Sequence, residues 1–352
     1  MKNHVEERYQ LCICLARIAK DRYIKNKEKR ESGEKTQVNL DIFTMPSHMK
    51  MLFGGFLGTP LYAGLATLRG HTDTVSCLTI LKNKLYSGSW DTTIRVWAKG
   101  TNTETHELVA TLIGHTRGVR CLTILKNKLF SGSKDTTIRI WNTETHEEIT
   151  TLRGHTNNVS CLIIHENNLY SGSDDKTIRV WAKGTNTETY EEIACLRGHT
   201  WGVTCLCAPA HENKLYSGSL DSTVRIWNTE THELVATLRG HTNWVYSLAA
   251  FGNKLYSGSN DKTIRICNTE TYEEIATLKN THPVICIALH ENKMYSGGVG
   301  KTIRVWAKGT HPETYAEIAT LEGNIGYVNC LTLHKNRLYS GGADNTIRIW
   351  KI

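Results

Sequence analysis

A seven-residue string, Asp-x-Thr-Ile-Arg-x-Trp, returns along this chain of 352 residues at a period that decides what it can fold into. It begins at Asp91, Asp135, Asp175, Asp221 (with Val224 for Ile) and Asp344, and in degenerate form at Asp261 (Cys267 for Trp) and Gly300 (Gly for Asp). Successive starts lie 39 to 46 residues apart. Upstream of each copy stands Leu/Met-Tyr/Phe-Ser-Gly, as in Leu85-Tyr86-Ser87-Gly88, and Gly-His precedes five of them. A unit this short cannot bury an apolar face alone, so the seven copies must bury it against one another.

Each unit predicts four short strands. In the first they are Val75 to Leu81, Lys84 to Ser89, Thr93 to Trp97 and Glu107 to Leu112, rich in β-branched and aromatic residues and separated by Asn-Lys, Ser-x-Asp and Thr-Glu-Thr turn signals. The last copy stops at Trp350-Lys351-Ile352 with no fourth strand behind it. Ahead of the first Gly-His, Leu61 to Leu68 matches Thr314 to Leu321, the fourth strand of a later unit. The N-terminal segment is therefore expected to complete the last unit and close a ring. The same match removes a membrane reading of the charge-free run Met51 to Leu68, whose second half recurs as a strand.

Seven such units resemble the WD-repeat family of β-propellers, over roughly residues 59–352. The resemblance implies an all-β, seven-bladed β-propeller of four-stranded antiparallel blades. Residues 1–58 form a basic N-terminal extension, read either as an amphipathic helix from Val5, Tyr9, Cys12, Ala16 and Ala19 or as a frayed segment. The resemblance also assigns a structural hydrogen-bond network to four residues per blade. These are His71, Ser87, Asp91 and Trp97; His115, Ser131, Asp135 and Trp141; His155, Ser171, Asp175 and Trp181; and His199, Ser217, Asp221 and Trp227. Asn324 stands where a histidine is expected, and Leu278 to Val284 is one residue short.

Chemistry that the sequence could suggest falls away on inspection. A His–Asp–Ser set resembles a hydrolase triad, but a set repeated blade after blade is a scaffold feature, since an enzyme needs one activated nucleophile. Gly297-Gly298-Val299-Gly300-Lys301-Thr302 imitates a phosphate loop, yet Tyr295 occupies the place of its first glycine and a strand follows it. Of eleven cysteines, Cys77, Cys121, Cys161, Cys205, Cys286 and Cys330 hold one equivalent position. Blades packed about 10 Å apart cannot share a zinc with bonds of about 2.3 Å, so these read as small buried residues. No catalytic residue, metal or cofactor is expected. An odd, unpaired cysteine count suits a reducing compartment and a cytoplasmic location, with a nuclear one open through Lys25 to Arg30.

The copies disagree at one end. In an antiparallel meander, the loop leading into the first strand and the turn between strands two and three share one end of the ring, the top. There the pre-turn residue runs Trp90, Lys134, Asp174, Leu220, Asn260, Val299, Ala343, while the leading loops carry Arg117, Trp201, Trp244 and Tyr327, and just inside them come Arg120 and Tyr246. Six of nine tryptophans belong to the scaffold; Trp90, Trp201 and Trp244 do not. Trp, Tyr and Arg dominate binding hot spots, so Trp90, Arg117, Arg120, Lys134, Asp174, Trp201, Leu220, Trp244, Tyr246, Asn260 and Tyr327 are the candidate partner-binding residues. At the bottom, Lys99, Lys183 and Lys308 are placed on longer loops.

The net charge is +8, from 42 Lys and Arg against 34 Asp and Glu, but the first 58 residues hold 11 basic and 7 acidic groups, leaving the propeller at +4. That near-neutral body argues for a protein or peptide partner over nucleic acid, with an RNA- or ribonucleoprotein-associated role as the alternative. The short Asn-Lys-Leu-Tyr-Ser-Gly-Ser hairpins are most similar to those of tumour-necrosis-factor-receptor-associated-factor ligases and myosin heavy-chain kinases. The resemblance implies a non-catalytic adaptor, monomeric within a larger assembly such as a ubiquitin-ligase or signalling complex, with no membrane attachment.

Overall fold

The computed structural model describes residues 62–100, 106–184, 189–210, 212–309 and 314–352. The expected N-terminal extension, with Cys12 and Cys14, lies outside them. Twenty-eight strands form seven four-stranded antiparallel sheets. Blades one to six span residues 75–112, 119–152, 159–197, 203–238, 245–279 and 284–321, each a meander in chain order. Blade seven takes three strands from residues 328–351 and its fourth from β1 (Ala63–Leu68). β1 pairs antiparallel with Ile347–Lys351, Ala63 opposite Lys351 and Leu68 opposite Ile347. The ring closes as the sequence predicts.

The core lies between blades. Tyr86, Ile94, Val96 and Leu112 of blade one pack against Val119, Leu129 and Trp141 of blade two, and the same cluster recurs at all seven seams. At the closing seam, Leu68, Ile347 and Ile349 meet Val75, Leu85 and Trp97. The conserved spacing of Ser-Gly in the second strands has its cause here. A Cβ on Gly88 would stand 2.5 Å from Cys77 Sγ and 2.7 Å from Val119 Cγ1, so the next blade leaves room for hydrogen only. The recurrent cysteines sit at this inner layer, where Cys121, Cys161 and Cys286 point their thiols at the carbonyls of Val159, Val203 and Val328 in the following blade. Burial pushes the Cys77 and Cys205 thiols up to about 12. Blade five has Ser247 in this place, and it accepts the amide of Ile287 in blade six at 3.0 Å.

A second set of inter-blade ties was not legible in the repeats. At the bottom, the cation opening one blade's second strand reaches the aromatic or imidazole opening the next blade's fourth. Lys128 covers Tyr190, Lys214 covers Tyr272, Lys254 covers Tyr315, and Lys293 covers Tyr62 at 5.5 Å from the ring centroid. Lys84 Nζ lies 3.4 Å from His146 Nε2. Because Tyr62 immediately precedes β1, the closing strand brings one of these ties with it. Lys99, Lys183 and Lys308 prove to be strand ends rather than loop residues, opposite His106, Tyr190 and Tyr315, because the Ala-Lys that follows their tryptophans extends each hairpin.

Candidate functional site at the top of the ring

The framework beneath the top is a hydrogen-bond relay. His71 Nδ1 lies 2.7 Å from Asp91 Oδ2 and its Nε2 2.8 Å from Ser87 Oγ, to which Trp97 Nε1 donates at 2.8 Å. The sets built on His115, His155 and His199 repeat this geometry. His241, Ser257 and Asp261 form a fifth without an indole, since Cys267 replaces the tryptophan. In blades six and seven, Asn280 and Asn324 take the histidine's place beside Ser296 and Ser340, at 3.5 and 3.2 Å. Asn280 fills the one-residue gap that the sequence left unexplained.

Burial alone would raise the carboxyl pKa of Asp91, Asp135, Asp175 and Asp221. Hydrogen bonds from the paired histidine and threonine more than offset it and hold all four well below the usual range. Each carboxylate also receives the amide two residues on, as Thr93 N to Asp91 Oδ1 at 3.0 Å. The residue between them is in the left-handed region, Thr92, Lys176 and Lys262 having φ of 68° to 72°, and Lys301, behind Gly300, keeps the same conformation at 61°. Each histidine, serine and indole of the relay is thus engaged by another member of its own blade.

The relay positions the variable residues. In every blade, the pre-turn amide donates to the leading loop's carbonyl, as Trp90 N to Thr74 O, Lys134 N to Gly118 O and Ala343 N to Tyr327 O, each 2.9 Å. Loop and turn are thus bound together at one end, as expected. The residues just inside them are β-bulges: the register shifts between Val75 and Cys77 and at the six equivalent points, setting out Ser76, Arg120, Ser160, Thr204, Tyr246, Ile285 and Asn329. A bulge re-aims a side chain without ending the sheet. Ser76 and Thr204 spend theirs on carbonyls of the next blade, Val119 and Val245.

The scaffold tryptophans are 2–6% exposed, whereas Trp90 is 39%, Trp244 42% and Trp201 60% exposed, with Tyr327 at 46%. Trp90, Arg117, Arg120 and Lys134 gather at the seam of blades one and two. Lys134 Nζ stands 3.5 Å from the Trp90 ring centroid, and Gly118 of the same leading loop lies so close that a Cβ would be 2.9 Å from Trp90 Cα. Across the ring, Trp244 meets Tyr246 edge to face at 6.1 Å. Burial raises the Tyr246 hydroxyl pKa, and the charge of Arg120, from blade two, partly counters it. Asp174 is engaged internally, accepting from Asn158 Nδ2 at 2.9 Å and Ser160 Oγ at 3.0 Å. Leu220 and Asn260 are half-buried, and Trp201 and Tyr327 stand on their own loops in blades four and seven.

Three cations went unremarked in the sequence: Lys176, Lys262 and Lys301, exposed at the left-handed turn positions. With Arg117, Arg120 and Lys134 they face only Asp73 and Asp174 on the same loops and turns, the network aspartates apart. The ionised network aspartates lie beneath them, so these cations form a basic outer layer on an end whose total charge is not positive. Among the described residues, no group of three or more His, Cys, Asp or Glu could hold a metal ion, and no helix is long and apolar enough to cross a membrane.

Fold and framework together define a seven-bladed propeller of the histidine–aspartate repeat type, closed by an N-terminal strand. The chain belongs to the WD-repeat family: the WD domain, G-beta repeat, matches residues 64–98, 106–142, 146–182, 190–228, 232–268 and 316–351. The unmatched stretch holds most of blade six, where Gly300 and Asn280 depart from the pattern. No curated protein matches the chain. Among solved structures, the WD40 β-propeller domain of Doa1 is similar, with a TM-score of 0.73 and 25% identity over 82% of this chain and 97% of that one. U3-55K is similar in fold, with a TM-score of 0.73 and 20% identity over 82% and 98%. Propellers of this family generally serve as non-catalytic scaffolds for protein partners, and this chain fits that role.

Proposed function

We propose that the protein is a non-catalytic adaptor that captures an extended peptide or a protein loop on the top of the propeller. The observation that carries this reading is the contrast among tryptophans: the six in the framework are buried, and the three outside it are exposed at one end. Truncating such an aromatic at an interface typically costs about 2 kcal/mol or more in binding. Trp90, Trp201 and Trp244 belong to blades one, four and five, so a partner touching all three spans the central opening. The outer layer of exposed cations favours an acidic sequence. The propeller would act as a monomer within a larger cytoplasmic or nuclear assembly, such as a ubiquitin-ligase or signalling complex.

Selection of peptides from a random library against the full chain tests this. Acidic peptides with apolar anchors should be enriched, and Trp201→Ala with Trp244→Ala should lose them, while Lys99→Ala with Lys183→Ala at the bottom should keep them. Retention by the top variant and loss by the bottom one would place docking at the wrong end. Exposed aromatics beside cations can also stack RNA bases. Tight binding of single-stranded RNA, with a steep fall as salt rises, would favour that alternative over peptide capture.

A further inference from the structure

Six of the seven turns between second and third strands carry an aspartate, and each carboxylate accepts the same three hydrogen bonds. One comes from an amide of the leading loop, the others from the amide and hydroxyl of the threonine two residues on. For Asp91 the donors are Thr72 N at 3.1 Å, Thr93 N at 3.0 Å and Thr93 Oγ1 at 2.7 Å. Blade six keeps the donors and brings no acceptor. Gly300 stands at the aspartate's position, with Thr281 and Thr302 where blade one has Thr72 and Thr93. Lys301 keeps the left-handed turn at φ of 61°, and Val299 N still donates to Pro283 O at 3.3 Å, so loop and turn face each other as in the other blades. Among the described residues, nothing accepts from Thr281 N, Thr302 N or Thr302 Oγ1.

These two threonines line one hollow with Gly300, His282 and Arg304, of about 10 Å³, room for a single oxygen-sized group. Nothing in the backbone calls for glycine there. The φ of Gly300 lies outside the left-handed range, and a Cβ would meet first His282 Nδ1, at 3.0 Å on an exposed side chain. Blade seven shows what such donors do without a histidine, since Asn324 replaces it there as Asn280 does in blade six. Burial raises the Asp344 carboxyl pKa, yet the Thr346 hydroxyl, the amides of Ile325 and Thr346 and the charge of Arg348 outweigh it and hold the group below its ordinary range. Arg304, the counterpart of Arg348, is already paired, through Nη1 with Glu317 at 3.1 Å and through Nη2 with Thr281 Oγ1 at 2.7 Å. The threonine donors therefore carry the site. A phosphate group overfills a hollow of this size, and a water molecule cannot accept from all of these donors at once. An ionised carboxylate, acceptor only and with about four lone-pair sites, can.

We propose that the top of blade six binds a carboxylate from outside the chain, the side chain of an aspartate or glutamate on the docked segment, which takes the place that the turn aspartate fills in the other blades. Blade six lies between Trp244 of blade five and Tyr327 of blade seven, both exposed, so the acidic residue would sit between two apolar contacts. The carrier of the carboxylate rests on the peptide-capture reading above; the site itself does not.

Formate, the smallest carboxylate, probes the site in the full chain, its proton read by saturation-transfer NMR. A saturable signal in the millimolar range is expected, displaced by acetate and not by chloride at equal ionic strength. Gly300→Asp supplies the carboxylate from the chain itself and should abolish the signal. Should that variant fold poorly against His282, Thr302→Val, which removes one donor at nearly the same size, should weaken formate at least about tenfold. In an acidic peptide selected against the wild type, replacing one Asp or Glu by the matching amide should cost at least about tenfold, and nothing further in Gly300→Asp. Such coupling identifies the docked segment as the carrier. No saturable formate signal, or the same signal in folded Gly300→Asp or Thr302→Val proteins, would overturn the site, whether or not peptides bind. Peptides that bind with no coupling to residue 300 would overturn the carrier alone. A formate site with no peptide selected would defeat peptide capture and uphold the site.

Discussion

Lys134 of blade two holds its ammonium over the indole of Trp90 in blade one, 3.5 Å from the ring centroid. The pair bridges two blades at the surface and aligns a cation with an aromatic face, so either member serves a partner with the other already in place. A half-exposed cation–π contact contributes about 0.5–1 kcal/mol. Trp90→Ala should therefore lower stability by no more than about 1 kcal/mol, while peptide binding weakens by about 2 kcal/mol or more. Denaturant titration and peptide affinity measured on the same preparation decide this. Equal losses in both would make Trp90 a packing residue.

The relay histidines should behave as structure. His155 is buried between Asp175 and Ser171, with Trp181 donating to the same hydroxyl. His155→Ala leaves those partners unsatisfied and should cost about 1–3 kcal/mol, with peptide affinity of the folded fraction unchanged. A loss of affinity at full stability would give the histidine a functional role.

Blade seven offers the reverse experiment. Asn324 reaches Ser340 at 3.2 Å, its Nδ2 is buried without a partner, and Asp344 already stands in the turn. Asn324→His should restore the relay and raise stability by about 1 kcal/mol. A lower melting temperature would mean that the backbone there has drifted from the pattern of the other blades.

Acid should loosen the ring in two stages. Burial, opposed by Asp261, sets the His241 pKa below its ordinary 6.5. The unfolded chain then binds this proton first, so stability present above about 6.5 begins to fall as the pH drops below it. Asp91, Asp135, Asp175 and Asp221 are held below an ordinary 3.8, and their stabilisation is lost as the pH falls through that value toward the lower folded ones. Urea midpoints across the pH scale should be level above neutrality, decline gently below about 6.5 and steeply below about 3.8. A rise in stability from pH 7 to 5 would contradict the burial of neutral imidazole at His241.

Removing residues 1–68 takes away β1 and the Tyr62 ring that Lys293 covers. That truncation should lower the melting temperature markedly, whereas removal of residues 1–56 should not. Equal melting of the two would show that the pairing of Ala63 with Lys351 does not hold the ring closed.

The repeats made most of the architecture legible, because one blade's pattern was written seven times and each copy checked the others. The match of Leu61–Leu68 to Thr314–Leu321 gave the closure by the same comparison. What escaped detection depends on neighbours in space. The Lys–Tyr ties join one blade's second strand to the next blade's fourth, about sixty residues away, as Lys128 to Tyr190, and within a single unit each residue looks like surface composition. The outer layer of cations was hidden for a similar reason: Lys176 and Lys262 follow the turn aspartate and Lys301 the glycine in its place, where sequence shows only a turn residue. Asp174 reads in sequence as an available charge, yet Asn158 and Ser160 occupy it.

The closing pair also imposes an order on biosynthesis. Ala63–Leu68 leaves the ribosome ahead of every blade, and its partner Ile347–Lys351 leaves after every other strand of the ring. At about 5–20 residues per second, that wait lasts on the order of 15–60 s. Throughout it the earliest strand has an unsatisfied edge, and blade one has one apolar face uncovered where Val75, Leu85 and Trp97 await blade seven. Six blades can stack during translation as a growing arc, but the arc becomes a circle only once Ile347–Lys351 has emerged to meet its partner.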